Sequence, residues 1–214
     1  MDGILDRFSI NCHSSIRYGG DKTVRFDPFR VEGAPRDADV VFVTHDHYDH
    51  FSPEDLCRVM KPEALLVLPE SCRETALEAG FDAERLLTVQ PGRDYQAAGI
   101  DFRTVAAYNL DKPFHPREKG WVGYVVTLEG QRVYVAGDTD DTPEARRVVC
   151  DIAFLPAGGT YTMMAAEAAA LAAALHPQAA VPTHYGCITG ESGDGAVFAA
   201  ALPQQVPCRL LTGR

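Results

Sequence analysis

Short apolar runs separated by turn-forming residues fill most of the first half of the chain and predict β-strands. Such runs occupy residues 7–11, 23–26, 40–44, 65–68 and 86–89, and they have the length and the β-branched or aromatic content typical of strands. Two helices are predicted between them. The first begins at Ser52-Pro53-Glu54-Asp55, which combines an N-cap residue, a first-turn proline and first-turn acids, and it ends before Pro62. The second covers residues 70–79 and ends at Gly80.

The second half continues in the same style, and the whole pattern predicts an α/β (α+β) fold. Strand-like runs cover 100–107, 122–128, 132–136, 152–155, 180–182 and 209–212, with a hairpin turn at Glu129-Gly130. Helices are predicted from Thr142-Pro143, over 163–175 and from about Gly195. Strands with helices inserted in both halves favour two sheets packed between helix layers. Because no repeat and no Ser/Gly-rich linker interrupts the sequence, we predict a single domain over residues 1–214.

Composition and charge exclude several classes of function. The 214 residues include 20 Lys and Arg against 30 Asp and Glu, a net charge of −10, which is unsuited to binding nucleic acid or an anionic membrane. We therefore expect a small-molecule substrate, no nucleic-acid partner and no membrane partner, and we leave homo-oligomer formation open. No apolar run reaches the roughly 18 residues of a membrane span, and no basic and apolar leader opens the chain, so a cytoplasmic protein is expected. Six cysteines without a Cys-x-x-Cys pair are then expected to be reduced thiols.

The most informative segment is a cluster of histidines and aspartates between a predicted strand and a predicted helix. It reads Thr44-His45-Asp46-His47-Tyr48-Asp49-His50 and lies directly before the Ser52 N-cap. A loop at this place can direct several side chains at one point. Imidazole nitrogens and carboxylate oxygens are ligands that a borderline divalent ion such as Zn²⁺ accepts. We expect Asp46, which alternates with the histidines, to face outward or to brace the loop.

The order His-x-His-x-Asp-His after a hydrophobic strand resembles the signature of the metallo-β-lactamase superfamily. The resemblance covers most of the chain and implies a four-layer αββα sandwich with a one- or two-metal site at one edge. It implies that His45 and His47 bind one metal, while Asp49 and His50 bind the other.

Further segments resemble the same superfamily. Gly137-Asp138-Thr139 resembles the strand end whose aspartate bridges the two metals, and Thr183-His184-Tyr185-Gly186 resembles the segment with the last ligand histidine. Residues 11–17, which include His13, resemble the first strand of a subgroup that contains ascorbate-6-phosphate lactonase-like and phospholipase-D-like hydrolases. His13 would then lie at the edge of the site.

One position departs from the superfamily pattern. The strand end at 105–109 has Asn109 where a third histidine of the first metal is expected, and His115 follows six residues later. Three alternatives are open: His115 replaces the missing ligand, Asn109 gives a weak oxygen ligand, or the first metal keeps an additional water. We include His115 with Asp49 as a candidate catalytic residue. The long segment between Asn109 and Trp121 is typical of an active-site lid.

These observations predict a metal-dependent hydrolase with one or two divalent ions, Zn²⁺ in the first place and Mn²⁺ or Fe as alternatives. A metal-activated water would attack a small ester, lactone or phosphodiester. Lys112 and Arg117 in the long loop would select an anionic substrate, and Tyr185 beside His184 is a further substrate-binding candidate.

The main alternative is a non-catalytic metal-binding or ligand-sensing module. A di-iron oxidoreductase is disfavoured because such relatives resemble His-x-Glu-x-Asp, with glutamate where this chain has His47.

Overall fold

Twelve strands form two six-stranded sheets in the computed structural model, which describes residues 2–211. The first sheet has the order β1-β2-β3-β4-β5-β6 and the second the order β12-β11-β10-β9-β8-β7. The strands are β1 Phe8–Ile10, β2 Ile16–Gly19, β3 Thr23–Phe26, β4 Ala38–Phe42, β5 Met60–Pro69, β6 Leu86–Val89, β7 Asp94–Ala97, β8 Ile100–Ala106, β9 Val122–Leu128, β10 Gln131–Val135, β11 Ile152–Pro156 and β12 Ala179–Thr183. The helices are α1 Asp2–Leu5, α2 Pro53–Val59, α3 Arg73–Glu78, α4 Ala165–Leu175 and α5 Asp194–Ala201.

Three apolar layers hold these elements together. The largest lies between the two sheets and includes Phe42, Tyr124 and Phe154. A second layer packs α2 and α3 on the first sheet, and a third packs α4 and α5 on the second sheet. The predicted fold class, with two sheets between helix layers, is therefore confirmed.

Strand β4 shows how the sequence encodes this layering. Val40 and Phe42 belong to the layer between the sheets, whereas Val41 and Val43 belong to the layer under α2 and α3. Alternate residues of a strand point to opposite faces, so a strand buried on both faces must be apolar throughout. The unbroken apolar run before His45 is thus the sequence of a central strand.

The ends of these parallel strands define one edge of the molecule. Strand β4 is parallel to β3 and β5, and β10 is parallel to β11, which is parallel to β12. The end of β4 meets the second sheet, where the Val122 N–H donates to the Thr44 carbonyl at 3.1 Å and the Tyr124 hydroxyl donates to the Val43 carbonyl at 2.7 Å. The loops that leave β4, β10 and β12 therefore meet at this edge.

Four expectations for secondary structure were wrong. Strands β2 and β7 were not predicted, because their sequences IRYG and DYQA carry few apolar residues. The helix expected from Thr142 is only a 3₁₀ turn over Ala145–Arg147, since the chain must extend again to enter β11. The expected strand at 209–212 is reduced to a single bridge between Cys208 and Ala180, and Thr212 lies outside the described residues.

The expectation of six reduced thiols was wrong for two of them. Cys12 and Cys187 form a disulfide with a Cα–Cα distance of 6.3 Å, although they lie 175 residues apart. Cys57, Cys72, Cys150 and Cys208 are free. The pairing depends on how the chain folds and not on local spacing, so the sequence offered no sign of it. Among residues 2–211, no helix has the length and apolar character needed to cross a bilayer.

Candidate metal centre

Five segments bring histidine and aspartate side chains to the edge described above. They follow β1, β4, β8, β10 and β12, and they carry every residue for which a metal-binding role was expected. Potential ligand atoms in this cluster form groups in which all atoms lie within 4.8 Å of one another. Each group is small enough to surround one cation.

The first group consists of His45, His47 and His115. His45 Nε2 lies 3.1 Å from His47 Nδ1, and His47 is the only half-exposed member, since the other two are buried. The buried Trp121 ring contacts all three imidazoles, with centroid distances of 5.1, 4.9 and 5.5 Å. The Trp121 ring therefore covers one side of this group, and the side formed by His47 is open to solvent.

The second group consists of His13, Asp49, His50 and His184. His13 Nε2 lies 3.1 Å from Asp49 Oδ2, and His50 Nε2 lies 3.9 Å from the same oxygen. The rings of His13 and His184 are in contact, with centroids 3.7 Å apart. The three histidines are buried, and only the Asp49 side chain, which is 14% exposed, reaches the surface.

Asp138 lies between the two groups. Its Oδ2 is 2.8 Å from His184 Nε2, 3.3 Å from His115 Nε2 and 3.9 Å from His45 Nε2. Its Oδ1 is 3.4 Å from His50 Nε2. One carboxylate therefore faces both sets of imidazoles, as a residue shared by two cations must.

Asp27 braces the second group from behind. Its carboxylate accepts hydrogen bonds from the Thr44 N–H at 2.8 Å and from the Thr44 hydroxyl at 2.7 Å, and it lies 2.7 Å from His50 Nδ1. An imidazole that donates from one nitrogen to a carboxylate presents its other nitrogen to a metal in a fixed orientation. Asp27 thus directs His50 Nε2 toward Asp138.

Asn109 orients a histidine of the first group in the same way. Its Oδ1 accepts from the His115 N–H at 3.0 Å and lies 3.0 Å from His115 Nδ1. Its amide donates to the Tyr161 carbonyl at 2.9 Å and to Asp140 Oδ1 at 3.2 Å. The asparagine at the expected histidine position therefore holds His115, which is displaced along the loop, with Nε2 toward Asp138.

Burial sets the protonation state of most histidines in the cluster. It lowers the pKa of His13 to about 4 and that of His47 below its usual value, and it lowers the pKa of His45 even further. These imidazoles are neutral at pH 7 and keep a lone pair for a cation. Burial alone would also lower the pKa of His50, but the carboxylates of Asp138 and Asp27 raise it to about 9. The centre of the cluster therefore favours a positive charge, from a proton or from a cation.

The two carboxylates of the cluster are ionised. Burial would raise the pKa of Asp49, but the His13 and His50 rings beside it hold that pKa at about 2. Burial likewise opposes ionisation of Asp138, and the surrounding histidines, with His184 and His50 first, bring its pKa well below the usual value. Neutral imidazoles and ionised carboxylates are the states that metal ligands require.

Several buried atoms of the cluster have no hydrogen-bond partner among the described residues. They are both ring nitrogens of His13, His50 Nε2, His115 Nε2, His184 Nδ1 and Asp138 Oδ1. Leaving a buried polar atom unpaired typically costs about 1–3 kcal/mol, so a cluster of such atoms is difficult to explain without a cation. The donor set, imidazole nitrogen with carboxylate oxygen, suits a borderline divalent ion. The residues present therefore fit the metal ions that the sequence implied.

The residues expected to bind substrate have other contacts. Lys112 pairs with Asp140 and Arg117 with Glu144, and the Arg117 guanidinium also lies over the Tyr108 ring at 4.9 Å. Tyr185 is buried. Their role in binding substrate stays a prediction. Asp46, which was expected to face outward or to brace the loop, is half-buried.

Sequence reasoning did not assign a role to Asp27 or Trp121, and it considered Asn109 only as a ligand. Asp27 precedes Pro28 directly after a strand and has a left-handed backbone with φ of 43°. An aspartate in such a place is a sign of a special backbone position. For Trp121 the only signal was that it is the single tryptophan of the chain.

Comparison with known proteins agrees with this geometry. Residues 9–184 match the family described as the Beta-lactamase superfamily domain. A UPF0173 metal-dependent hydrolase of Nitratidesulfovibrio vulgaris is 31% identical over 221 residues, which cover 95% of this chain and 90% of the relative. The crystal structure of a metal-dependent hydrolase from Parabacteroides distasonis has a TM-score of 0.79 at 28% identity and covers 95% of this chain and 91% of that one. The metallo hydrolase Igni18 of Ignicoccus hospitalis shares the fold, with a TM-score of 0.75 at 21% identity over 96% of this chain and 94% of its own.

Proposed function

Because this chain belongs to the metallo-β-lactamase superfamily and is a metal-dependent hydrolase, we propose that it hydrolyses a small anionic ester, lactone or phosphodiester with the help of two divalent ions. The observation that carries the two-ion proposal is the position of Asp138, whose carboxylate lies 2.8 Å from His184 Nε2 of the second group and 3.3 Å from His115 Nε2 of the first. A single-ion site would not need a carboxylate at that place.

The ligands follow from the two groups. His45, His47 and His115 would hold the first ion, and Asp49, His50 and His184 would hold the second, with Asp138 shared between them. Five imidazoles around the pair favour Zn²⁺ over harder cations, with Mn²⁺ or Fe as alternatives. When bound, such ions lower the pKa of water and polarise the bond that is cleaved.

Asp49 is the candidate catalytic residue of the chain itself. Its carboxylate is ionised and, at 14% side-chain exposure, more accessible than that of Asp138 at 3%. It can therefore accept a hydrogen bond from the attacking water and hold that water in line with a substrate entering from the surface. His115 lies in the buried first group, so its contribution is to bind and orient.

The anionic preference depends on Lys112, Arg117 and Tyr185. Lys112 and Arg117 are already paired with Asp140 and Glu144, so they would have to exchange these partners for the substrate. A small-molecule partner in the cytoplasm completes the proposal, and the net charge of −10, which is unsuited to binding nucleic acid, supports the small-molecule partner.

Substitution of the candidate catalytic carboxylate tests the function. Asp49→Asn should lower turnover of a lactone and phosphodiester panel by at least about 100-fold, because a neutral amide is both a weaker metal ligand and a weaker hydrogen-bond acceptor for the attacking water. The exposed His176, at the end of α4, supplies the control, and His176→Ala should leave turnover unchanged. Wild-type turnover that survives both Asp49→Asn and chelation would contradict hydrolysis at this site and favour a non-catalytic module.

A further inference from the structure

His13 occupies a position that the six expected ligand residues do not explain. It lies in the loop between β1 and β2, and its side chain is completely buried. Its backbone has a left-handed φ of 57°, which a non-glycine residue adopts at a cost and keeps only when its surroundings impose it. The ring is thus forced into the cluster beside Asp49 and His184.

Three contacts impose this position. The His184 N–H donates to the His13 carbonyl at 3.1 Å, the two rings are in contact, and the Cys12–Cys187 disulfide joins the same two loops. His184 also has a left-handed backbone, with φ of 59°. The backbone hydrogen bond and the disulfide therefore hold the two loops together next to the His13–His184 ring pair.

The His13 imidazole is poorly satisfied by protein atoms. Nε2 lies 3.1 Å from Asp49 Oδ2 but is not aligned with it for a hydrogen bond, and Nδ1 also lacks a partner among residues 2–211. If Nε2 carries a lone pair, it and the carboxylate oxygen repel each other unless a cation lies between them. A buried imidazole nitrogen and a carboxylate oxygen that lie 3.1 Å apart without an aligned hydrogen bond have the arrangement of two ligands of one ion.

We infer that His13 is a further ligand of the second ion, in addition to Asp49, His50, His184 and the shared Asp138. This inference rests on the proposed function, since it takes the second group as a metal site. The second ion is then enclosed by five side chains from this chain. Four side chains would hold the first ion, one of them the half-exposed His47.

Two substitutions distinguish a ligand from a residue that only orients Asp49. His13→Gln keeps a hydrogen-bond donor toward Asp49 but replaces the nitrogen ligand by a weak amide, whereas His13→Glu keeps a ligand atom and removes the donor. Metal-free protein would be titrated with Zn²⁺ by calorimetry and with Co²⁺ by absorption spectroscopy, with His176→Gln as the control. We expect His13→Gln to weaken binding of the more tightly held equivalent, the one at the second group, at least about tenfold, while His13→Glu keeps it with a changed Co²⁺ spectrum.

The reverse order, with His13→Gln like wild type and His13→Glu unable to hold the ion of the second group, would overturn the inference in favour of an orienting role. Unchanged titrations for both variants would overturn it as well. A crystal of the wild-type protein soaked in Zn²⁺ keeps the test independent of variant folding. An Nε2–Zn distance of about 2.1 Å supports the inference, and a distance beyond hydrogen-bonding range refutes it. Wild-type protein that binds no metal would instead refute the proposed function.

Discussion

The two ligand groups at the sheet edge are built from similar residues but differ in how they are held. The second group is buried, braced by Asp27 from β3 and fastened by the disulfide between its two outer loops. The first group is braced by Asn109 within the long loop after β8, and His47 is half-exposed. From this difference we expect the second group to release a bound ion more slowly than the first group does.

The largest effect is expected at the residue that the two groups share. Asp138→Asn removes the charge that faces His50, His115 and His184, so both sites lose a ligand at once. Loss of a direct ligand should exceed the roughly 10–100-fold effects known for outer partners. Turnover should therefore fall more than 100-fold, and elemental analysis after dialysis should show loss of both ions. Retention of either ion at the wild-type level would contradict the bridging role.

Removing the brace of the second group should have a smaller and one-sided effect. Asp27→Asn keeps the size of the side chain but weakens the contact that directs His50 Nε2 into the cluster. Affinity for the more tightly held ion should decrease about 10–100-fold, as measured by competition with a chelator. A loss confined to the weaker ion would show that the two groups are assigned in the wrong order.

Removing the brace of the first group provides the matched comparison. Asn109→Ala deletes the acceptor of His115 and should weaken only the more exchangeable ion, by about tenfold. Two-phase release of metal to a chelator would report this as a faster first phase with an unchanged second phase. An effect equal to that of Asp27→Asn on both phases would mean that the two groups behave as one.

The smallest effect is expected at the loop cations. Arg117→Glu breaks an exposed pair with Glu144, and exposed pairs contribute only about 0–1 kcal/mol to stability, whereas Lys112→Glu breaks a pair with the buried Asp140. Thermal unfolding should therefore change little in Arg117→Glu, while KM for an anionic substrate should rise several-fold in both variants if these residues attract it. An unchanged KM would remove both residues from substrate selection.

The sequence predicted the centre of the site because its parts follow recognisable strands. His45 to His50 follow a strand buried on both faces, and Asp138 and His184 follow strands of the parallel portion of the second sheet, whose ends must meet at one edge. The choice between Asn109 and His115 could not be made from spacing. It depends on the path of the loop, which brings Asn109 Oδ1 back to His115 Nδ1.

The residues that support the ligands could not be predicted from the sequence for a similar reason. Asp27 meets His50 only because β3 and β4 are adjacent and parallel, with Phe26 opposite Phe42. Cys12 and Cys187 meet only because the loops after β1 and β12 converge. Strand β7 was missed because its exposed residues are polar, and its place is set by antiparallel pairing with β8.

The Cys12–Cys187 disulfide turns most of the chain into a covalent ring. Eleven of the twelve strands, β2 to β12, lie within it, and only β1 precedes Cys12. In the unfolded state this ring restricts the chain, an effect on the order of 5 kcal/mol for a loop of this length in the chain-entropy treatment. A protease that cuts one peptide bond inside the ring leaves both fragments attached to each other. The nicked protein would therefore keep His13 beside His184, and the fragments would separate on a denaturing gel only after reduction.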